Sequence, residues 1–229
     1  MTSLQKWGKS VRTTIPVMAG YLVLGAGFGI LLRTRGYGLG WALAMSAFIY
    51  AGSMQYVAID LLTGGASLLT TAVTTLLVNA RHLFYGISML ERYRAAGKYA
   101  PYLIFSLTDE TYSLVAARED LTGAECFRIS LLDQLYWVLG TALGSLAGVY
   151  LDFNTTGIDF SLTALFLTVF TEQWLETKDH APALIGLGIS IVCRLLFGAD
   201  SFLLPTMGGM LCCLLVLDAR RTKKGGESV

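Results

Sequence analysis

The chain has 229 residues, of which 54% are hydrophobic and 14% charged, and its formal net charge is +1. A soluble domain carries about 25% charged residues, so an ordinary soluble globule is excluded, and the near-zero charge excludes a nucleic-acid binder. The charges gather at the N-terminus (Lys6, Lys9, Arg12), in short connections (Arg33, Arg35, then Arg92, Arg94, Lys98) and at the C-terminus (Arg220, Arg221, Lys223, Lys224), which leaves long apolar stretches between them.

A helix needs ~20 apolar residues to cross a ~30 Å hydrocarbon core. The stretches 15–32, 39–62, 67–90, 100–117, 129–151, 158–175, 182–198 and 201–218 meet that need to varying degrees. The predicted fold is an all-α polytopic membrane protein, a bundle of seven or eight transmembrane helices forming a single membrane domain over 1–229. No connection is long enough for a soluble domain. The basic start is not followed by a small-residue cleavage site, so 15–32 reads as a retained helix and not a removed signal. Two basic termini favour an even number of spans. The Arg92–Lys98 connection then falls on the wrong side, unless one of the first three stretches is re-entrant or broken.

The first helix carries Gly25 and Gly29, and the fifth carries Gly140, Gly144 and Gly148. Small residues four apart let helix backbones approach closely, so these five are predicted packing positions. Tyr21–Gly25 also resembles Tyr136–Gly140, which suggests an internal repeat with halves 12–118 and 128–220. Duplicated halves are common in secondary transporters and put the site near the midplane.

The second stretch holds Gly52, Ser53 and Gln55 at mid-span. Gly-Ser can loosen a helix and free backbone carbonyls, which are tolerated at membrane depth where they line a cavity. The alternative is an ordinary helix with locally bonded side chains. In the third stretch Thr71, Thr75, Asn79 and His82 share a helical face, with Arg81 beside it. Arg81 can grip a carboxylate through two hydrogen bonds, and His82 suits a proton relay. Both could instead lie near the interface, with Arg81 snorkelling. The fourth stretch carries the adjacent carboxylates Asp109 and Glu110. A charge at the bilayer centre costs at least ~2.5 kcal/mol, so such residues need a partner or a task. They suit proton coupling, or one of them forms a static pair with Arg81 or Arg194. Asp60, Glu91, Asp133 and Asp152 read as interfacial, Glu172 and Gln173 as weak signals, and Ala219–Val229 as a solvated basic tail.

The four cysteines (Cys126, Cys193, Cys212, Cys213) and two histidines (His82, His180) have no metal-binding spacing, and no nucleophile elbow or phosphate loop is present. The expectation is no metal, no cofactor and no enzyme activity.

Together Gly25–Gly29, Tyr50-Ala51-Gly52-Ser53-Met54-Gln55-Tyr56, Val78-Asn79-Ala80-Arg81-His82-Leu83-Phe84-Tyr85-Gly86 and Leu107-Thr108-Asp109-Glu110 resemble the large subunit of AzlC-type branched-chain amino-acid exporters. The resemblance is dense over 12–118 and looser beyond. Tyr50 and Tyr56 depart from the phenylalanines expected there. The resemblance implies secondary export of leucine, isoleucine, valine and sometimes methionine across the inner membrane, with a small AzlD-type membrane subunit as partner. On this reading Ser53, Gln55, Asn79 and Arg81 bind substrate, while His82, Asp109 and Glu110 couple transport to protons. A passive channel, or a structural membrane subunit whose polar residues only hold helices together, stays open beside it.

Overall fold

The structure is a computed structural model that describes residues 3–116, 118, 120–150 and 179–202, together with 160, 163–164, 167, 170–171, 174–175, 205–206, 208–210 and 212–217. Asp152, Glu172, Gln173 and the basic tail lie outside the described residues. All regular structure among the described residues is helical. The chain forms two compact units, Met1–Thr163 and Ala164–Val229.

The first unit is built on two long helices, α1 (Ser3–Thr34) and α8 (Gly123–Tyr150). They run parallel, because contacts advance together along both. Lys9 meets Glu125 and Arg128 meets Ser10, then Gly25 faces Trp137, and Gly148 faces Arg33. The glycines predicted to pack do so here. A Cβ on Gly25 would lie 2.8 Å from the Trp137 carbonyl oxygen, and one on Gly140 2.7 Å from the Leu22 carbonyl oxygen. Gly29 sits against Thr141 and Ser145, and Gly144 against Ala26. The contacts are reciprocal between the two repeat-like segments, so the pair packs about a local two-fold axis. Each helix lends the other its glycine groove. Helix α8, counted with the second half in the sequence, therefore belongs to the first unit.

Between α1 and α8 the chain makes three bent segments. Helices α2 (Leu39–Phe48) and α3 (Gly52–Thr63) are joined through Ile49, Tyr50 and Ala51. Gln55 bonds Ser46 across this joint, and Ala42 and Ile59 share one core cluster. Helix α2 thus descends from the α1 C-terminal end, where Gly38 touches Arg33, and α3 climbs back to it. Helices α6 (Ala100–Phe105) and α7 (Asp109–Ala116) form a second hairpin from the opposite end. Its entrance holds Tyr99 against Phe127, and its exit holds Arg118 against Thr13. Its tip, Ser106 to Thr108, reaches Tyr21 at mid-height. The stretch 39–62, for which a re-entrant or broken form stayed open, is a hairpin, and the stretch 100–117, expected as a span, is one as well. At the α6–α7 break a polar side chain competes for the backbone, Thr108 capping α7 at the Thr111 amide, 3.3 Å.

Helices α4 (Leu68–Val78) and α5 (Arg81–Ala95) form the one bent segment that runs from end to end. It bends at Asn79 and Ala80. At its far end Arg92 donates to the carbonyls of Val115 (2.6 Å) and Arg118, and a Cβ on Gly123 would touch Ala96. The Arg92–Lys98 connection thus returns to the α1 N-terminal end, which removes the charge conflict met in the sequence.

The core of this unit is aromatic. Phe28, Tyr56 and Trp137 pack together, and Tyr21 meets Trp137 edge-on at 5.4 Å. Outward faces are apolar as well, with Val23, Leu68, Leu83, Phe84 and Ile87 exposed. In the second unit α9 (Ala181–Ser201) exposes Leu184, Leu187, Ile191 and Leu195, and it kinks at Gly198, whose φ is +76°. Arg194 lies over the Phe202 ring. The segments Leu4–Thr34 and Ala181–Gly198 are long and apolar enough to cross a bilayer.

Candidate functional site

Three helix N-termini meet at mid-height: α3 at Gly52, α5 at Arg81 and α7 at Asp109. Arg81 ties them together. Its Nε donates to Asp109 Oδ1 at 2.8 Å and its Nη2 to Ser53 Oγ at 2.8 Å. Asp109 and Glu110 occupy the first turn of α7, where the helix dipole favours an anion. The sequence placed Arg81 and Asp109 on separate stretches, and the hairpin makes them partners. Both side chains are 30% exposed, so the pair is only partly enclosed by protein.

Glu110 faces inward and accepts from the Tyr21 hydroxyl at 2.7 Å. His82 turns Nδ1 to the Asn79 carbonyl at 3.1 Å and stacks edge-on against Tyr85. The Asn79 Oδ1 is buried without a partner. Gln55 is enclosed: its amide nitrogen donates to Ser46 and its oxygen accepts from Trp137 Nε1 at 2.9 Å. Ser46 in turn donates to Thr141. Gln55 therefore locks the α2–α3 hairpin onto α8, with both ends of the amide in use. Ser53, Asn79, Arg81, His82, Asp109 and Glu110 form one neighbourhood, and Gln55 lies behind it.

Tyr50 forms the tip of the α2–α3 hairpin at φ +43°, a left-handed conformation strained for a bulky residue. Its ring meets Phe105 of the opposed hairpin, and its buried hydroxyl has no partner. Asp133 was read as interfacial and is instead fully buried on α8. Its Oδ2 accepts from Thr111 at 2.9 Å, while Oδ1 and the nearby Ser130 hydroxyl stand unpartnered. The signal was present: Cys126, Ser130, Asp133, Trp137, Gly140 and Gly144 step by three or four along one face. The glycines that mark that face as buried put Asp133 on it too.

A half-open cavity of about 670 Å³ runs along α5 from Asn79 and His82 down to Tyr93 and Arg94, with Ile104 and Leu107 as its far wall. Ligand pockets commonly span about 300–1,000 Å³. Its lining is mostly aliphatic, with the polar groups at its two ends. Among the described residues no cluster of His, Cys, Asp and Glu could hold a metal ion.

The sequence model of the AzlC protein family matches residues 16–151. The branched-chain amino acid transport protein AzlC of Bacillus subtilis is 46% identical over 89% of this chain and 82% of its own length. An uncharacterized membrane protein of Helicobacter pylori is 43% identical over 89% of this chain and 91% of its own. The inner membrane protein YgaZ of Escherichia coli is 26% identical over 90% of this chain and 87% of its own. No solved structure matches.

Proposed function

The chain belongs to the AzlC family, and we infer that it is a multi-pass secondary transporter that exports branched-chain amino acids, in a proton-coupled way, from the cytoplasm across the plasma membrane. The observation that carries this reading is the meeting of three helix N-termini at Arg81. Half-helices that end at mid-depth and aim their positive ends at an anionic substrate group are a transporter device. The substrate carboxylate takes the seat that Asp109 now holds, between Arg81 and the α3, α5 and α7 N-termini. Its aliphatic side chain lies in the cavity beside Leu83, Ile87 and Leu107, with Asn79 at the mouth. Leucine, isoleucine, valine and methionine fit such a wall. A basic side chain finds no carboxylate among the lining residues, whose charged member is Arg94.

The orientation follows from charge. Lys6, Lys9, Arg12, Arg92, Arg94 and Lys98 share the α1 N-terminal end, and the positive-inside rule makes that end cytoplasmic. The cavity runs toward this same end at Arg94, which suits loading from the cytoplasm. The exposed apolar residues of α4 and α5 face lipid or a small AzlD-type subunit, which the reading includes as partner. In the test the chain is reconstituted with and without that subunit and loaded with leucine. Saturable counterflow of labelled leucine, absent in Arg81→Ala, is the expected result. Leak that never saturates would mean a passive channel and would sink the transporter reading.

A further inference from the structure

A chain of hydroxyls links the half-buried Glu110 carboxyl to the buried Asp133 carboxyl. Glu110 Oε2 lies 2.7 Å from the Tyr21 hydroxyl, which lies 2.7 Å from Thr108 Oγ1. Thr108 Oγ1 is 3.1 Å from Thr111 Oγ1, which is 2.9 Å from Asp133 Oδ2. The run crosses from α7 through α1 to α8. It lies behind the Arg81–Asp109 pair, and no lysine or arginine enters it.

Each hydroxyl has one proton to give, so three hydroxyls fill three of the four links. With both carboxyls ionised, Tyr21 turns to Glu110 and Thr111 to Asp133. Thr108 then fills only one of its two links, and two oxygen lone pairs face each other at hydrogen-bond distance. The Thr111 amide still donates to Thr108 Oγ1, so the cost of the unfilled link is the repulsion of two hydroxyl oxygens with no proton between them. One added proton repairs the run. If it sits on Glu110, then Glu110 donates to Tyr21, Tyr21 to Thr108, Thr108 to Thr111 and Thr111 to Asp133. If it sits on Asp133, every hydroxyl turns round and all four links are again filled.

Resting on the export reading and deepening it, we propose that Glu110 and Asp133 share one transported proton, passed between them through Tyr21, Thr108 and Thr111. A proton taken up at one carboxyl is released from the other, so bonds and charge balance in each passage. The shared proton belongs to the pair and not to either residue. Ionisable groups facing the run are Arg81 from α5 and Asp109 from α7 beside Glu110, Tyr50 from the α2–α3 tip beside Tyr21, Glu110 and Asp133, and Tyr102 from α6 beside Asp133. Asp133 has a second oxygen free, and the Ser130 and Tyr50 hydroxyls near it are unpartnered. That gives the proton a further exit at the hairpin tip. Asp109 stands outside the run: its Oδ1 accepts from Arg81, and the bonds of the run pass through Glu110 and Asp133.

Two measurements test this. Infrared spectroscopy of the purified full chain at neutral pH should show the C=O stretch of a protonated carboxyl, altered in both Glu110→Gln and Asp133→Asn. No such band in the unmodified chain overturns the proposal. In leucine-loaded proteoliposomes, the ratio of pH-gradient-driven flux to counterflow should fall at least tenfold in Thr111→Val and Tyr21→Phe. Thr111→Ser keeps the hydroxyl and should restore it, which separates a cut chain from a misfolded one. A Thr111→Val ratio within twofold of normal overturns the proposal. If the unmodified chain shows no leucine counterflow, the export reading fails, and the infrared result still decides the shared proton.

Discussion

Breaking and rebuilding the Arg81–Asp109 contact separates a fixed clamp from a coupling group. At 2.8 Å the pair is well made, yet both side chains are 30% exposed, so its strength lies between two limits. Exposed pairs contribute ~0.2–1 kcal/mol, whereas removing one partner of a fully buried pair costs ~3–5 kcal/mol. Discounting for partial exposure gives about 1–2 kcal/mol of coupling between the two residues. Arg81→Ala and Asp109→Asn should each lower thermal stability, because each strands a charge at the meeting of three helix N-termini. The double variant should be less unstable than the sum of the singles by that ~1–2 kcal/mol, the quantity a double-mutant cycle isolates. Thermal unfolding in detergent reads the cycle. Leucine counterflow reads function in the same samples, and Asp109→Asn should lose it, since Arg81 is no longer positioned. A coupling below about 0.3 kcal/mol, inside the additivity error, would refute the clamp. So would an Asp109→Asn variant that exchanges leucine normally and lacks only the response to a pH gradient.

Gly144→Ala places a methyl group against the Ala26 backbone and should destabilise by about 1–3 kcal/mol through overpacking. Gly20→Ala meets nothing within 4 Å and should be neutral or stabilising; equal melting temperatures for the two would overturn the α1–α8 contact. In a background lacking Cys126, Cys193, Cys212 and Cys213, cysteines placed at Arg35 and Ser67 should both react with an impermeant thiol reagent from the periplasmic face, and one at Lys98 from the cytoplasmic face. Labelling of Arg35 and Ser67 positions from opposite faces would restore the straight span and remove the hairpin.

The helices themselves were legible in the sequence, because apolar length and glycine spacing are local signals. Gly25, Gly29, Gly140 and Gly144 declared their packing in advance, and each indeed meets backbone. The hairpins were not legible as such. A stretch of about 24 apolar residues has the same composition whether it crosses or turns back, and the turn at Tyr50 uses a residue that left-handed geometry disfavours. The stranded Arg92–Lys98 charges and the mid-span Gly52-Ser53 hinted that one stretch failed to cross. At the site the residue types spoke clearly for Arg81 and Asp109, whose insertion alone is costly. Asp133 was misplaced because its position near a predicted helix start outweighed its place on the glycine face. For Gln55 the sequence left open a cavity-lining amide or one bonded to a neighbour, and the Ser46 and Trp137 contacts use both its ends.

The two hairpins also explain why polar residues accumulate at one depth. One descends from the α1 C-terminal end and the other rises from the N-terminal end, and each follows an end-to-end segment, α1 for the first and α4–α5 for the second. That order is one end-to-end segment and one half-length hairpin, repeated with opposite sense. It brings two broken segments tip to tip, at Tyr50 and Phe105. Backbone groups freed at both tips need partners, and in a lipid-facing position they would find none. They are tolerated only behind a shell of intact helix, which α1 and α8 supply through their shared glycine groove. Close packing of that pair and polar chemistry at the tips are thus one design: without the groove, Tyr21 on α1 and Asp133 on α8 would stand too far apart for Thr108 and Thr111 to join them.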